Sequence, residues 1–521
     1  MRLRDIVNSI GGCRVLGMRD VEVTGISYDS RDIRAVSSVS SGAGVIFAAL
    51  PGLHADGRAF IKDAVGRGAA CVLTGAPSDE PLDVPQIVAP DVREALSEVS
   101  SVFYGEPSKR LKTVGVTGTN GKTTTTYLLE AIFKEAGLNA GVIGTVNYRY
   151  GGVISDSTHT TPQAPELYRI MKEMADAGVT HLAMEVSSHA LDQKRVSISC
   201  RFDAAVFTNL THEHLDYHGT MEEYFRCKSI LFEKLLREPG KSLPVVNIDD
   251  PWGGRLASVL SPSLTYSLKK GADVYPERYS YFDDRTEAVI AAPQGKLRLS
   301  SHLVGEYNLY NILASVAAGS AIGLPLEAIG RGVEGLRRVP GRLEKIESPP
   351  PIDSIGGKRF LAYVDYAHTG DALLRVLGAL KSIAKGRVIT VFGCGGNRDR
   401  MKRPVMGEIA ARMSDVTIIT SDNPRDEDPL DIIREVEAGI KGVKRYGADE
   451  PVKGKGFISI PDRREAVRKA VSIAGDNDTI LVAGKGHEEC QIVRGNRTHF
   501  NDTEEIKDAM DEFCGRKAAI R

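Results

Sequence analysis

Short apolar runs rich in β-branched residues alternate with helical patterns through most of this chain. Strands that are buried on both faces have such continuous runs, and their alternation with helices indicates parallel α/β sheets. In open parallel sheets, ligands bind beyond the carboxyl ends of the strands. The unusual motifs of this chain each follow one of these runs, so we expect the functional sites there. The runs are Thr113–Val116, His181–Met184, Ala204–Thr208, Val388–Phe392, Val416–Thr420 and Thr479–Val482.

Two segments that contain glycine and proline divide the chain. Tyr104–Ser108 separates the helical stretch Ala95–Phe103 from the first of these runs, and Arg338–Arg342 follows the helical segment Leu326–Leu336. At about 150 residues per domain, 521 residues suggest three domains. We therefore predict an N-terminal domain at 1–107, a central domain at 108–338 and a C-terminal domain at 339–521.

Composition excludes several classes of protein. The 67 Lys and Arg residues balance the 68 Asp and Glu residues, which argues against a protein that coats nucleic acid or an anionic membrane. No apolar run approaches the roughly 20 residues that span a bilayer, so no membrane insertion is expected. The seven cysteines are scattered and form no Cys-x-x-Cys pair, which favours a reducing cytoplasm over a disulfide framework.

A glycine-rich loop between the first run and a helical pattern predicts a nucleotide site. Glycines let backbone N–H groups curve around phosphate oxygens, and the following helix (Tyr127–Glu135 by its pattern) adds a favourable dipole. Lys122 supplies a positive charge for the outer phosphates, and the Thr123 hydroxyl suits a Mg²⁺ ligand. The spacing departs from the usual phosphate loop because Val116 stands where a glycine is expected. The loop consists of Thr117, Gly118, Thr119, Asn120, Gly121, Lys122, Thr123 and Thr124.

Acidic residues and histidines follow two further runs. Glu185 ends the run from His181 and could hold Mg²⁺ directly or through water. The segment 212–218 (HEHLDYH) follows the run from Ala204 and nearly reproduces a metallo-hydrolase signature, but Tyr217 would rotate His218 off the ligand face. One alternative is thus a metal hydrolase, and the other places His214 on a second Mg²⁺ beside an ATP γ-phosphate. The spacing of these residues alone does not choose between the two alternatives, but the phosphate loop upstream favours the ATP site.

Motifs along the whole chain resemble the Mur ligases, the ATP-dependent amide-forming enzymes of peptidoglycan synthesis. Within that family, the chain is similar to the members that add the third residue of the peptide. The motifs occur in the family's order and are GTNGKTTT, EVSSHAL, THEHLDYHG, a helix around Lys228, GEYNLYN, VPGRLE, VDYAHT and GKGHE, supported by YDSR at 28–31, TTP at 160–162 and the pair Gln193 and Arg195.

The resemblance implies a role for each domain and for particular residues. It implies an N-terminal UDP-binding domain, a central ATPase and a C-terminal Rossmann-like domain for the incoming amino acid. It also implies that Lys228 is carbamylated, which is chemically reasonable because a carbamate can ligate Mg²⁺ whereas an ammonium would be repelled. Thr123 and Glu185 would face one Mg²⁺, and His214 and Lys228 the other. ATP would further contact Asn308, Asn311, Arg342 and Asp365, and UDP-MurNAc-L-Ala-D-Glu would contact Ser30, Thr160, Thr161, Ser187, Gln193 and Arg195.

The motif Asp422-Asn423-Pro424-Arg425 follows the run from Val416 and matches the version associated with meso-diaminopimelate. A guanidinium grips a carboxylate bidentately, so Arg425 would favour the distal carboxylate of diaminopimelate and disfavour lysine. Arg398 could assist, with Glu488 accepting from the distal amine and Gly484 offering backbone contacts. Asn397 replaces an acid that is common in this family. A simpler interpretation is that the motif is a helix-entry turn with proline near its start.

The expected reaction makes an amide bond at the expense of ATP. ATP phosphorylates the γ-carboxylate of D-Glu, and the diaminopimelate amine displaces phosphate from the acyl phosphate, in a monomeric cytoplasmic enzyme. The nearest alternative adds L-lysine instead. More distant alternatives are a folylpolyglutamate synthase, a zinc hydrolase and a P-loop switch that binds nucleotide without using a dipeptide substrate.

Overall fold

The structure is a computed structural model that describes residues 1–19, 21–33, 43–52, 55–238, 241–346 and 360–513. Its three larger sheets follow one another along the chain, each with its own helices. Six cysteines lie in the described ranges and all are free thiols, while Cys514 lies outside them. Within those ranges, no helix combines the length and the apolar character needed to cross a membrane.

The N-terminal sheet has five strands in the order β1-β5-β4-β3-β2. Only β1 is antiparallel to its neighbour. The strands are β1 (Arg14–Leu16), β2 (Glu22–Ser27), β3 (Ala43–Ala48), β4 (Ala69–Thr74) and β5 (Gln86–Val88). The helices are α1 (Leu3–Ser9), α2 (Ile61–Gly66) and α3 (Val92–Phe103), with 3₁₀ turns at Ser30–Asp32 and Gly57–Phe60.

The central sheet has eight strands in the order β13-β12-β11-β6-β10-β7-β8-β9, parallel except for the edge strands β8 and β9. Its strands are β6 (Lys112–Thr117), β7 (Ala140–Ile143), β8 (Asn147–Tyr150), β9 (Val153–Asp156), β10 (His181–Glu185), β11 (Ala204–Phe207), β12 (Leu243–Asn247) and β13 (Leu264–Tyr266). A separate antiparallel sheet follows, formed by β14 (Tyr275–Tyr281), β15 (Thr286–Ala292) and β16 (Gly295–Ser301).

Helices cover both faces of the central sheet, which is why its inner strands are continuous apolar runs. They are α4 (Lys122–Glu135), α5 (Ala164–Asp176), α6 (Ser188–Asp192), α7 (Leu215–His218), α8 (Met221–Glu233), α9 (Pro251–Val259), α10 (Glu306–Ala321) and α11 (Leu326–Gly335), after a 3₁₀ turn at Pro107–Arg110. The predicted start of α4 at Tyr127 was wrong. Four buried threonines, Thr123–Thr126, form most of its first turn and hid that turn in the sequence pattern.

The third large sheet has seven strands in the order β17-β18-β23-β19-β20-β22-β21, with only β17 antiparallel to its neighbour. They are β17 (Glu344–Lys345), β18 (Leu361–Asp365), β19 (Val388–Phe392), β20 (Val416–Ile419), β21 (Lys444–Arg445), β22 (Gly456–Ser459) and β23 (Thr479–Ala483). A hairpin follows, formed by β24 (Cys490–Val493) and β25 (Asn496–His499). The helices are α12 (Gly370–Ile383), α13 (Lys402–Met413), α14 (Pro429–Glu437), α15 (Arg463–Ile473) and α16 (Asp502–Phe513).

Strand order explains why distant motifs meet. In the central sheet β6 lies between β10 and β11, so the segments that follow these three strands share one edge. In the third sheet β18, β23, β19 and β20 are parallel neighbours, so residues 366–369, 484–488, 393–398 and 420–425 also share one edge. The prediction of parallel α/β sheets with motifs at the carboxyl ends of strands is confirmed.

Candidate active site

A cavity of about 600 Å³ lies between the central and third units. Its wall combines the phosphate loop, the ends of β10 and β11, the start of α10 and the segment after β18. Two residues expected at a nucleotide, Gly118 and Asn308, lie behind the surface rather than on it. The expected residues that line the cavity are Thr119, Asn120, Gly121, Lys122, Thr123, Thr124, Thr160, Glu185, His214, Asn311, Arg342 and Asp365.

The phosphate loop is held in a tight curve by its own lysine. Gly118 and Gly121 have φ values of 144° and 92°, which favour glycine. The Lys122 ammonium donates to the carbonyls of Gly118 (2.9 Å) and Thr119 (2.8 Å), and burial lowers its pKa. The loop leads directly into the N-terminus of α4, where unpaired N–H groups and the helix dipole favour an anion.

Arg342 reaches this loop from the third unit. Its guanidinium donates to the Thr123 hydroxyl (3.1 Å) and stacks over the Tyr366 ring at 4.7 Å. Arg342 is therefore directed at the phosphate loop and the cavity rather than at a surface carboxylate. Asp365 accepts from the backbone N–H groups of Leu343 (2.6 Å) and Ala367 (2.7 Å), and burial raises its pKa to about 6.

The two asparagines of α10, Asn308 and Asn311, lie inside the helix rather than at its cap. Asn308 donates to the Val304 carbonyl (2.9 Å) and accepts from the Asn311 amide (3.1 Å). A side chain added at Gly121 would overlap the Asn311 amide oxygen. Asn311 thus lies directly against the phosphate loop, and Asn308 orients it from behind.

Glu185 ends β10 with both carboxylate oxygens directed at Thr145. It accepts from the Thr145 backbone N–H and hydroxyl, each at 2.9 Å. That hydroxyl also lies 3.0 Å from the Thr160 hydroxyl. Sequence reasoning missed Thr145, although it comes shortly after β7, at the same sheet edge as the other motifs.

The histidines of segment 212–218 separate in space. His214 has a φ of 57°, and the edge of its ring meets His189 at 4.8 Å. His218 is buried, with Nε2 2.9 Å from the Ser188 hydroxyl, as expected from the extra residue in the motif. Glu213, which sequence reasoning left unassigned, lines the cavity 4.0 Å from His214 Nε2 and 3.9 Å from His368 Nε2.

The hydrolase alternative needs a cluster of metal ligands. Across the described ranges, no three His, Cys, Asp or Glu side chains converge as a metal cluster would require. The donors at the cavity are instead chiefly hydroxyl and carboxylate oxygens, from Thr123, Glu185 and Glu213. These oxygens suit Mg²⁺ held together with substrate phosphates.

Lys228 is almost completely buried on α8 rather than solvated at the surface of that helix. Its ammonium donates to the Gly118 carbonyl (3.0 Å), which also accepts from Lys122, and lies 4.6 Å from the centre of the Tyr224 ring. Burial and the positive charge of Lys122 hold the pKa of Lys228 well below its usual value. A neutral amine next to the phosphate loop is the reactive form of lysine.

Residues expected at the muramoyl dipeptide form one network. Thr161 donates to the Glu185 carbonyl (2.8 Å) and accepts from the Ser187 backbone N–H (3.0 Å). Arg195 donates to the Thr161 carbonyl (3.0 Å) and to the side chain of Gln193. Because Arg195 has its polar contacts with neutral groups, its charge is available for an anionic substrate.

Ser30 lies apart from this network, in the N-terminal unit, close to Asp63. Tyr28, two residues earlier, does approach the network, since it lies close enough to Glu166 and Arg195 to interact with both electrostatically. The structure therefore brings the segment at 28–31 to the central unit through Tyr28 rather than through Ser30.

The motif at 422–425 is a packed loop after β20. It is not a helix entry, because α14 begins at Pro429 with Asp428 as its cap. Asp422, Asn423 and Pro424 are buried, and Arg425 has a φ of 53°. Arg425 donates to the Gly396 carbonyl (2.8 Å).

The other residues expected at the amino acid surround this loop. A Cβ at Gly395 would lie 2.9 Å from Arg425 Nη1 and 3.7 Å from the exposed Arg398, so both arginines border that glycine. A Cβ at Gly484 would lie 2.6 Å from an Asp422 carboxylate oxygen. Glu488 accepts from the Asn423 amide (2.8 Å).

Residues 393–398, 420–425 and 484–488 form one cluster of loops, called the loop cluster below. One of its residues connects it with the cavity. His487, the neighbour of Glu488, lies close to the backbone of Thr145, the residue that binds Glu185. Its ring lies 5.0 Å from the Tyr366 ring, and burial lowers its pKa to about 3. Segments from the central and third units thus meet within a few residues of the phosphate loop.

This fold and site define a class: three-unit α/β proteins in which a phosphate loop on one parallel sheet faces a Rossmann-like sheet across a cavity. The chain belongs to the Mur ligase family. Three family models match it in succession: the Mur ligase family catalytic domain at residues 22–104, the Mur ligase middle domain at 116–319, and the Mur ligase glutamate ligase domain at 341–486.

Individual relatives match the chain from end to end. UDP-N-acetylmuramoyl-L-alanyl-D-glutamate--2,6-diaminopimelate ligase from Geobacter metallireducens is 45% identical over 99% of each chain. The enzyme of that name from Gloeobacter violaceus is 41% identical, also over 99% of each chain. A solved structure with that name is 32% identical, with a TM-score of 0.66 over 95% of this chain and 97% of that one.

More distant structures share the fold alone. The Acinetobacter baumannii MurF structure superposes with a TM-score of 0.64 at 18% identity, over 98% of each chain. A Mycobacterium tuberculosis folylpolyglutamate synthase complexed with ADP superposes with a TM-score of 0.59 at 16% identity, over 75% of this chain and 91% of that one.

Proposed function

We propose that this chain is an ATP-dependent ligase that joins meso-2,6-diaminopimelate to the D-Glu γ-carboxyl of UDP-MurNAc-L-Ala-D-Glu, forming ADP and phosphate. The observation that carries the proposal is the hydrogen bond from Arg342, in the third unit, to Thr123 of the phosphate loop (3.1 Å). The Tyr366 ring lies against both Arg342 and His487, the neighbour of Glu488, so the loop cluster around Arg425 and Glu488 adjoins the phosphate loop. End-to-end identity to ligases of that name supports the same substrates.

The first step forms an acyl phosphate. A γ-carboxylate oxygen of D-Glu attacks the γ-phosphorus of ATP, a new P–O bond forms, and the bond to ADP breaks. Lys122 and the N-terminus of α4 offset the negative charge of the phosphates, and Arg342 approaches them from the third unit. Arg195 and its network hold the dipeptide in position, which contributes through proximity.

The second step forms the amide. The neutral amine of diaminopimelate attacks the acyl carbon, a C–N bond forms, and the C–O bond to phosphate breaks. The proton that the nitrogen loses balances the release of phosphate as HPO₄²⁻. Contact between the central and third units excludes water, which would otherwise hydrolyse the acyl phosphate.

Mg²⁺ fits the donor set of the cavity. Thr123 and Glu185 would hold one ion, and His214 and Lys228 in its carbamate form a second. Bound there, Mg²⁺ supplies charge stabilisation for the phosphates. Carbamylation joins the neutral Lys228 amine to CO₂ with loss of one proton, and the low pKa of this buried amine supports that reaction.

Arg425 supports diaminopimelate over lysine as the incoming amino acid. Its guanidinium and the Glu488 carboxylate belong to the same loop cluster, and this pair would complement a distal group that carries both a carboxylate and an amine. L-Lysine remains the second candidate, since Glu488 alone would accept its ammonium.

We also propose the boundaries 1–107, 108–338 and 339–521 for a UDP-binding, an ATPase and an amino-acid-binding domain. The order of the three larger sheets along the chain supports this division. Nucleotide substrates and free thiols support action in the cytoplasm.

Phosphate release tests the function directly. With UDP-MurNAc-L-Ala-D-Glu, ATP, Mg²⁺ and meso-diaminopimelate, we expect phosphate and a product whose mass equals dipeptide plus amino acid minus water. Omission of any substrate should abolish this product, and L-lysine should give much less of it. Turnover without ATP would favour the hydrolase, and ATP hydrolysis that ignores the dipeptide would favour the switch.

A further inference from the structure

Lys485 is a buried lysine that neither the phosphate site nor the expected substrate contacts use. Its side chain is 0% exposed. The ammonium donates to three acceptors: the Asn423 amide oxygen (3.1 Å), a Glu488 carboxylate oxygen (3.0 Å) and the Cys490 carbonyl (2.7 Å). The three N–H groups of the Lys485 ammonium therefore meet three acceptors, which lie on three different segments of the chain.

These hydrogen bonds fix the orientation of the Asn423 amide and of the Glu488 carboxylate. The Asn423 oxygen accepts from both Lys485 and the Ile492 backbone N–H (3.0 Å), so its amide nitrogen is turned toward Glu488. The same Glu488 oxygen, Oε2, then accepts from both Lys485 and Asn423. Within the described parts of the chain, Oε1 of Glu488 has no such donor and is the oxygen left for a ligand amine.

The third acceptor connects Lys485 to the hairpin of β24 and β25. Beyond Cys490, this hairpin bonds to the Arg425 backbone: the Arg425 N–H donates to Ile492 (3.0 Å), and the Arg494 N–H donates to Arg425 (2.7 Å). Arg425 has a φ of 53°, a conformation that a non-glycine residue keeps only when neighbouring contacts hold it. The hairpin supplies those contacts, and Lys485 holds its first residue.

We propose that Lys485 is the positioning residue of the amino-acid pocket. It sets the free oxygen of Glu488 and, through the hairpin, the backbone of Arg425, so that an amine and a carboxylate on one ligand are recognised together. This inference rests on the proposed function, since the ligand is the diamino acid of that reaction. It assigns Lys485 no contact with the ligand.

The test compares Lys485→Met with Lys485→Arg in the full-length enzyme. In Lys485→Met, Glu488 and Asn423 lose their common donor, so we expect the KM for meso-diaminopimelate to rise about tenfold or more. The KM for ATP should stay within about threefold of the original value. The rise in Tm on binding ADP should stay within a few degrees of the original rise. Lys485→Arg retains donors and should recover part of the affinity. Lys455→Met, at an exposed lysine bonded to the Arg412 carbonyl, is the matched control.

A double variant separates positioning from general packing. If Lys485 acts through Glu488, Lys485→Met added to Glu488→Gln should raise the KM for diaminopimelate little beyond Glu488→Gln alone. Fully additive effects, or an unchanged KM in Lys485→Met, would overturn the inference. If Lys485→Met does not fold, Lys485→Gln is judged by the same criteria. Failure of the original enzyme to use diaminopimelate would instead refute the proposed function.

Discussion

Backbone conformation at single residues decides the shape of the phosphate loop. Gly118 has a φ of 144° and lies against Thr208 and Asn209, which follow β11. Its carbonyl accepts from both Lys122 and Lys228. Glycine is therefore required at position 118 for two reasons: the backbone conformation there and the close approach of the segment after β11.

Gly118→Ala should abolish nucleotide binding while leaving most of the chain folded. The added methyl group would overlap the Thr208 hydroxyl and displace the loop. We expect the affinity for ADP, measured by calorimetry, to fall at least about tenfold. Gly105→Ala is the control, since Gly105 also has a positive φ (77°) but open space around it. Equal loss in both variants would show that strain alone, not the overlap, is responsible.

Arg425→Ala should weaken the use of diaminopimelate far more than the binding of nucleotide. A lost guanidinium–carboxylate contact is worth about 2 kcal/mol, or roughly thirtyfold in kcat/KM. Arg434→Ala, which removes an exposed arginine of α14, is the matched control. Unchanged amino-acid kinetics in Arg425→Ala would remove this residue from the site.

At the scale of elements, burial overrides local preference. The first turn of α4 contains four β-branched threonines, Thr123–Thr126, yet it is helical, and all four of these side chains are buried. Burial also applies to a charged residue of α15 whose interior position the helical sequence pattern does not predict. Arg463 on α15 is 0% exposed, pairs with Asp502, and donates to the carbonyls of Ser421 and Ala483, at the ends of β20 and β23.

The buried His181 at the start of β10 should make stability depend on pH. Burial and the positive charge of Lys112 lower its pKa to about 4, whereas an unfolded histidine titrates near its ordinary value of 6.5. Between these values the unfolded chain binds more protons, so stability is lost as the pH falls from 6.5 to 4. This residue alone should cost about 2 kcal/mol at pH 5 relative to pH 7.5.

His181→Gln should remove that dependence. Its Tm should fall less between pH 7.5 and pH 5 than the Tm of the original chain, whatever the absolute loss at neutral pH. His302→Gln, at an exposed histidine, is the control. Identical pH profiles for the original chain and His181→Gln would contradict the assignment.

At the scale of the whole molecule, one carboxylate joins the third unit to the phosphate loop. Asp371, near the start of α12, accepts from the Asn120 amide (3.0 Å) and the Thr211 hydroxyl (3.1 Å) of the central unit. Arg375 of the same helix bonds to the same oxygen (2.9 Å). Asn120 belongs to the phosphate loop, so the contact between units depends on the loop conformation.

Asp371→Ala should loosen this contact. We expect kcat to fall about tenfold, since a charge-assisted hydrogen bond is worth roughly 1.5–3 kcal/mol. The radius of gyration from X-ray scattering should increase as the units separate. Asp431→Ala, on the exposed side of α14, should change neither quantity. A normal kcat with a normal radius of gyration would show that other contacts hold the units together.

Local sequence patterns predicted inner strands of two parallel sheets and the loops that follow them, because buried parallel strands and glycine-rich loops have such patterns. The apolar runs predicted their strands to within a residue or two, and the phosphate loop, Glu185 and the motif at 422–425 each follow a strand as expected. These features depend on residues that are close together in the sequence, so the sequence is enough to recognise them.

Which of these groups meet depends on strand order and packing. Thr145 and Asp371 lie outside the motifs that the sequence analysis used, whereas Glu213 and Lys485 lie inside two of those motifs but received no role. All four are functional candidates because the fold places them beside the phosphate loop or the 422–425 loop. Ser30 lies in the N-terminal unit close to Asp63, and its contact with the uridine nucleotide stays a prediction. Long-range contacts fix burial, partners and pKa, and these are what distinguish a reactive lysine from a solvated one.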